Sequence, residues 1–259
     1  MATKNVPTKV KTTSIVSWED KLARYAADAT AQEESVSTGS FISFKAGIIS
    51  YQGNPAAGNK LQAVIVDSIL ENCYYDSDYD EDNLQPPVCY ALGRDDKDMK
   101  PHEKSPKPQA ASCSECEWNK YGTANNGKGK ACANRRRLAM LPADPLSPEG
   151  LEKSSFATAK LPVMSVANWA AYVRTLKGLQ KRPPMGVVTE VGCVPDTKSQ
   201  FKVTFNHKLN LTNALLPIVD ARMEEANDVL FTPYPEPSED TPAPKKGAAK
   251  KGPAKTRKY

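Results

Sequence analysis

At 259 residues the chain is long enough for one large domain or two small ones, while 39% hydrophobic content and 21 prolines predict a folded middle with disordered ends. No apolar run approaches bilayer-spanning length and no signal-like stretch opens the sequence, which predicts a soluble, cytosolic protein with no membrane partner. The net charge is +5, but the last eighteen residues hold six lysines, one arginine and no acid; removing that +7 leaves −2 for the rest, so affinity for a polyanion has to come from local patches and the tail.

In chain order, SWEDKLARYAADA reads as a short amphipathic helix, with Trp18, Leu22 and Tyr25 at helical spacing and Ser17 as N-cap. GSFISFKAGIISYQGN reads as two strands around a glycine break, and LQAVIVDSILENCYY as one buried strand. DSDYDEDN, with five acids in seven residues, is expected to be a solvated loop. PPVCYALGR is a further short strand, and residues 95–112 form a polar loop without core-building side chains. RRRLAMLPA and SSFATAKLPVM read as strands. SVANWAAYVRTLKGLQK is the clearest helix, capped by Ser165, with Val166, Trp169, Ala170, Val173 and Leu176 on one face. PPMGVVTEVGCVPDTKSQFKVTFNHK reads as a hairpin in which Phe201, Val203 and Phe205 alternate with Lys202, Thr204 and Asn206. A last helix starts at Thr212 and accepts Pro217 near its first turn. Short strands dominate, which favours a mainly β (α+β) fold, a small antiparallel barrel or sandwich with helical additions.

The stretch CSECEWNKYGTANNGKGKACANRRRL is the least ordinary. Without a secretion signal, a CxxC is better read as metal-binding than as disulfide-forming. Cys113 and Cys116 can bite one tetrahedral ion from a tight turn, and Cys132 returns at a spacing common in zinc modules. Cys89 is the favoured fourth ligand, with His102 and Cys73 as alternatives. A loop this polar needs such a staple to fold. Cys193, in a valine-rich strand, reads as structural. The expected site is closed and non-catalytic: no HExxH is present, and Ser112 stands where a zinc deaminase carries proline before its CxxC. GKGK lacks the frame of a nucleotide-binding loop.

Around these cysteines Trp118 and Tyr121 interleave with Lys120, Lys128 and Lys130, and Arg135, Arg136 and Arg137 follow. Aromatic rings stack on unpaired bases, worth about 1–3 kcal/mol per base, while lysine and arginine neutralise phosphates. Trp118 is equally suited to pack within the module, and on a strand the three arginines alternate sides. Lys45 and Tyr51, with Phe44, offer a second surface on the first strand pair, Phe44 being better read as core.

NCYYDSDYDEDNLQPPVCYALGRDD, CSECEWNKYGTANNGKGKACANRRRLAML, LPVMSVANWAAYVRTL and RPPMGVVTEV together resemble a widespread group of tailed-bacteriophage proteins regarded as single-stranded-DNA-binding or replication-associated, over roughly residues 38–230. A looser likeness is to zinc-containing single-stranded-DNA-binding proteins of large phages, in which an OB-type barrel carries a zinc subdomain beside a basic groove. The resemblance implies an OB-like β core at 37–231 with a zinc module inserted at 89–137, a flexible 1–36 segment and a disordered 232–259 tail. It implies Cys89, Cys113, Cys116 and Cys132 as ligands of a structural Zn²⁺, and Trp118, Tyr121, Lys128, Lys130 and Arg135 to Arg137 lining the groove; Lys120, Lys45 and Tyr51 join the candidate nucleic-acid contacts on the residue reading above. The implied function is non-enzymatic coating of single-stranded DNA in phage replication or recombination. The setting would be the cytoplasm of the infected host, with phage replication or recombination proteins as further partners and an oligomer or cooperative filament left open. The tail departs from such proteins: it is acidic only at Glu236, Glu239 and Asp240, then basic. The alternatives are a zinc-stapled adaptor without specific DNA binding, and an enzyme such as a nuclease using DSDYDED to hold Mg²⁺.

Overall fold

A computed structural model describes residues 40–77 and 85–235, together with Trp18, Lys21, Leu22, Arg24 and Tyr25. The chain divides into two units, Met1–Gly39 and Ser40–Tyr259. In the first, the five described residues are helical, and Trp18, Leu22 and Tyr25 are exposed. Ser17, the acidic loop beyond Ser77 and the tail beyond Pro235 lie outside the described residues.

Among the described residues, the second unit holds nine strands: β1 (Ser40–Ser43), β2 (Ser50–Tyr51), β3 (Asn54–Pro55), β4 (Lys60–Tyr74), β5 (Cys89–Gly93), β6 (Ala133–Pro142), β7 (Ala157–Leu161), β8 (Val187–Asp196) and β9 (Gln200–Asn210). They form one sheet in the order β3-β2-β1-β7-β6-β4-β8-β9, with β5 attached to β4. β4 is its spine. One edge of β4 pairs with β6 from Ala63↔Pro142 to Cys73↔Ala133. The other edge is shared between β8, at Lys60 to Ala63, and β5, at Leu70 to Tyr74. Burial on both faces explains why β4 reads as a continuous apolar run over residues 63–66 rather than an alternating one.

The sheet curls into a half-barrel. Its inner face gathers Ile42, Phe44 and Ile49 near the first strands with Val203 and Phe205 of β9, so Phe44 is core. The turn Lys45–Gly47 packs on β9 so closely that a Cβ on Gly47 would stand 3.2 Å from the Phe201 Cβ. Gly47 also takes φ 78°, which suits glycine and no bulkier residue. Not every pair is antiparallel as expected, for β1 runs parallel to β7.

Helix α2 (Val166–Thr175), extended by a π turn over Leu176–Gln180, fills the inner face with Trp169, Tyr172 and Leu176. Ser165 does not cap it; its hydroxyl accepts the Val203 N–H at 3.0 Å and ties the helix start to β9. The outer face carries three more helices, α1 (Pro148–Lys153), α3 (Leu216–Asp220) and α4 (Met223–Phe231), around Leu151, Val219, Ala226 and Leu230. The sequence pattern did not announce α1, although Ser147 caps it by accepting the Gly150 N–H at 3.0 Å. The expected last helix is broken at Arg222, whose guanidinium donates to the carbonyls of Leu151 (2.7 Å), Glu152 (2.9 Å) and Ser154 (2.9 Å). It thereby serves the otherwise unpaired end of α1.

Candidate functional site

The cysteine module grows from the far end of β4, β5 and β6. The polar segment after β5 is less idle than its composition suggests. His102 N donates to Tyr90 O (2.7 Å), Tyr90 N to Ser105 Oγ (3.1 Å) and Lys107 N to Val88 O (2.7 Å), so this segment satisfies the outer edge of β5. Met99 folds beneath it and, with Ala91, Leu70 and Cys113, makes a small core of its own.

From there the chain turns back through Cys113 and Cys116. Asn119 Nδ2 donates to Cys113 O at 2.8 Å, Asn119 N to Cys116 O at 3.1 Å, and Cys132 N to Trp118 O at 2.8 Å. The glycine-rich loop is an Asx-type turn: Asn126 Oδ1 accepts from Lys128 N (3.0 Å) and Gly129 N (3.2 Å). Gly127, at φ 69°, supplies the left-handed residue that the turn needs.

These bonds bring Cys89, Cys113, Cys116 and Cys132 to the wall of one cavity of about 20 Å³. That is room for a single ion or water and no organic ligand. Neither alternative ligand lines it. Cys73 points to the opposite face, its Sγ 3.3 Å from the Tyr234 hydroxyl, and His102 Nδ1 lies 3.1 Å from the Tyr90 hydroxyl and accepts Lys104 N. Burial pushes Cys132 up to about 12, helped by its neighbours Cys113, Cys73, Cys116 and Cys89. Burial likewise raises Cys113 and Cys89, each raised further by neighbouring cysteine sulfurs. Among the described residues, no three His, Cys, Asp or Glu side chains stand in ion-holding geometry. The four cysteines share the cavity wall with Asn72, Tyr74, Tyr90 and Asn119. Cys193 packs against the inner core, where burial raises its thiol to about 11.

Over this cavity Trp118 stacks on Tyr74 of β4, centroids 4.9 Å apart and planes 20° from parallel, and stays 38% exposed. Trp118 thus packs one face on the sheet and leaves part of its surface open to solvent. Tyr121 is 81% exposed, with Lys130 Nζ 5.3 Å from its ring centre. Lys130 also donates to Asn119 Oδ1 at 3.2 Å, Lys120 pairs with Glu117, and Lys128 is exposed.

The three arginines divide by face. Asn134 donates to Asn72 across β6 and β4 at 2.5 Å, and Arg136, two residues on, shares that face with Tyr74 and the module. Arg135 and Arg137 point the other way. Arg137 is a correction to the expected groove: it is 3% exposed and bound to Glu71, Leu230 O and Thr232 O, so its guanidinium is unavailable to a ligand. Lys45 and Tyr51 sit on the β1–β2 corner, apart in strand order from the strands that carry the module. Tyr51 packs against the inner core and lines a shallow cleft with Lys60, Asp144 and Glu190.

Sequence reasoning missed Tyr74 and Tyr234. Tyr74 ends a strand whose alternation places it opposite Tyr75, a signal that was there to read. Tyr234 lies in a proline-rich segment that looks like tail, yet it packs on Tyr90 at 5.0 Å and extends the folded body past residue 231. No family model, curated protein or solved structure matches the chain. No described helix is long and apolar enough to cross a membrane.

Proposed function

We propose that the chain is a non-enzymatic single-stranded-DNA-binding protein, acting in phage DNA replication or recombination in the cytoplasm of the infected host. The half-barrel is read as an OB-like core, and Cys89, Cys113, Cys116 and Cys132 as the ligands of one structural Zn²⁺. Bound zinc would replace the thiol protons and cross-link β5, the CxxC turn and the start of β6, a staple that a module with so small a core needs. The chain's own residues do the gripping. Trp118, backed by Tyr74, and the open ring of Tyr121 offer stacking surfaces, while Lys120, Lys128, Lys130 and Arg136 displace counterions from phosphates. Such a grip is indifferent to sequence and sensitive to salt.

The observation that carries this reading is the Trp118–Tyr74 stack, an aromatic platform left partly open beside a cysteine-lined cavity whose wall Tyr74 shares. The test is titration of the full chain against fluorescent oligo(dT), the matching RNA and a duplex at several salt concentrations. Tightest binding to oligo(dT), weakening steeply with salt, is the expected result. Weak and equal binding to all three would contradict it and favour the zinc-stapled adaptor.

A further inference from the structure

The reverse face of the same strands holds a second charged cluster that the module does not use. Arg137 stands opposite Lys160 in the β6–β7 register, and Arg135 lies two residues along β6 on the same face. Among the described residues, one carboxylate answers them. Glu71 Oε1 accepts Arg137 Nε at 3.0 Å, a second Arg137 nitrogen, and the Tyr234 hydroxyl at 3.1 Å. Arg137 Nη1 then donates to the carbonyls of Leu230 (2.9 Å) and Thr232 (2.6 Å). Glu71 and Arg137 thus neutralise each other, and Arg135 and Lys160 form no ion pair among the described residues.

Both leftover cations are held in place. Lys160 Nζ sits 3.8 Å from the centre of the Tyr234 ring, and Arg135 Nε is buried without a hydrogen-bond partner. Among the described residues, the other groups facing them are a thiol and two phenols. Burial raises Cys73 to about 12 and also raises Tyr75 and Tyr234. Among the described residues, three cations against one carboxylate leave two positive charges, Arg135 half-buried and Lys160 at the exposed rim beside it, an arrangement that an anion would complete.

We propose that Arg135 and Lys160 form a phosphate subsite, positioned by Tyr234, that receives a backbone phosphate of the bound strand. Guanidinium and ammonium side by side match the oxygens of one phosphate. Tyr74 and Tyr75, successive at the end of β4, point to opposite faces, so a strand leaving the Trp118–Tyr74 stack reaches this cluster by rounding that end. The source of the phosphate rests on the nucleic-acid reading; the anion site itself does not, since inorganic pyrophosphate carries the same oxygens.

The experiment exposes the full chain briefly to an amine-acetylating reagent, alone, with oligo(dT), and with pyrophosphate, and reads lysine labelling by peptide mass spectrometry. Desolvation, with Arg137 and Arg135, lowers the Lys160 pKa against the opposing pull of Glu71, which favours acylation of its amine. Both anions are expected to slow Lys160 labelling severalfold, and Arg135→Gln to abolish that protection. Lys160→Gln should also lower the salt slope of oligo(dT) binding by about 0.7, one phosphate contact on a single strand. Unchanged Lys160 labelling with both anions overturns the subsite, even if Lys128 and Lys130 are protected and the grip stands. If oligo(dT) fails to bind at all, the reading of the function falls and the pyrophosphate arm still decides the anion site.

Discussion

Trp118 lies over Tyr74 with 4.9 Å between ring centres, so a module residue and a sheet residue share one aromatic stack. Trp118→Ala is expected to weaken oligo(dT) binding by about 1–3 kcal/mol, the range for one stacked base. Tyr74→Leu keeps the outer ring but removes its backing, and should cost a smaller part of that. Fluorescence anisotropy at fixed salt measures both; an unchanged affinity for Trp118→Ala would remove the platform from the account.

Arg137 should report on folding rather than on binding. Arg137→Ala strands Glu71 in a buried site and frees the carbonyls of Leu230 and Thr232, so about 3–5 kcal/mol of stability is expected to go. Urea denaturation checks this. Arg136→Ala, on the module's face, should leave the urea midpoint near that of the parent and weaken DNA binding instead.

Metal content gives a third check. The account expects one zinc per chain, lost on Cys116→Ser, with the β-sheet signal in circular dichroism retained because the half-barrel core is independent of the module. Cys132, at about 12, and its neighbours must release protons to bind the ion, so zinc affinity should fall as pH falls. An affinity indifferent to pH between 6 and 8 would contradict thiolate ligation, since thiols ionise only from about 8.5 upward unless metal draws the proton off.

At the β8–β9 turn, Asp196 pairs with Lys202 at 2.8 Å and accepts Ser199 Oγ at 2.8 Å. Those contacts, Lys202 first, hold its carboxyl at about 2 against an ordinary 3.8. Its contribution is therefore present above 3.8 and lost as pH falls through about 2. A carboxyl titration by NMR should find the midpoint near the lower value; a midpoint near the ordinary one would mean that the turn is open in solution.

What the sequence made legible was local. The alternation of β9 holds, with Val203 and Phe205 buried and Phe201 packed on the core, because one face of that strand is covered and period two follows. That Cys113, Cys116 and Cys132 come to one cavity was legible by spacing, and that Cys89 joins them by its place on a strand entering the module. Long-range facts were not. The parallel β1–β7 pair joins residues more than a hundred positions apart, and no local pattern encodes that register. Arg137 reads as one third of a basic run, and its burial depends on Glu71, 66 residues upstream, arriving opposite through the β4–β6 register. Tyr234 was hidden by prolines that signal a tail, while its anchors come from three different strands.

The most direct measurement is oligo(dT) affinity of the full chain before and after zinc is removed by a chelator, and again after zinc is restored. The account predicts a marked loss on removal and recovery on return, because the stacking rings and lysines are held in register by the cysteines. An affinity that does not move when the metal is taken away would contradict the claim that the stapled module is the grip.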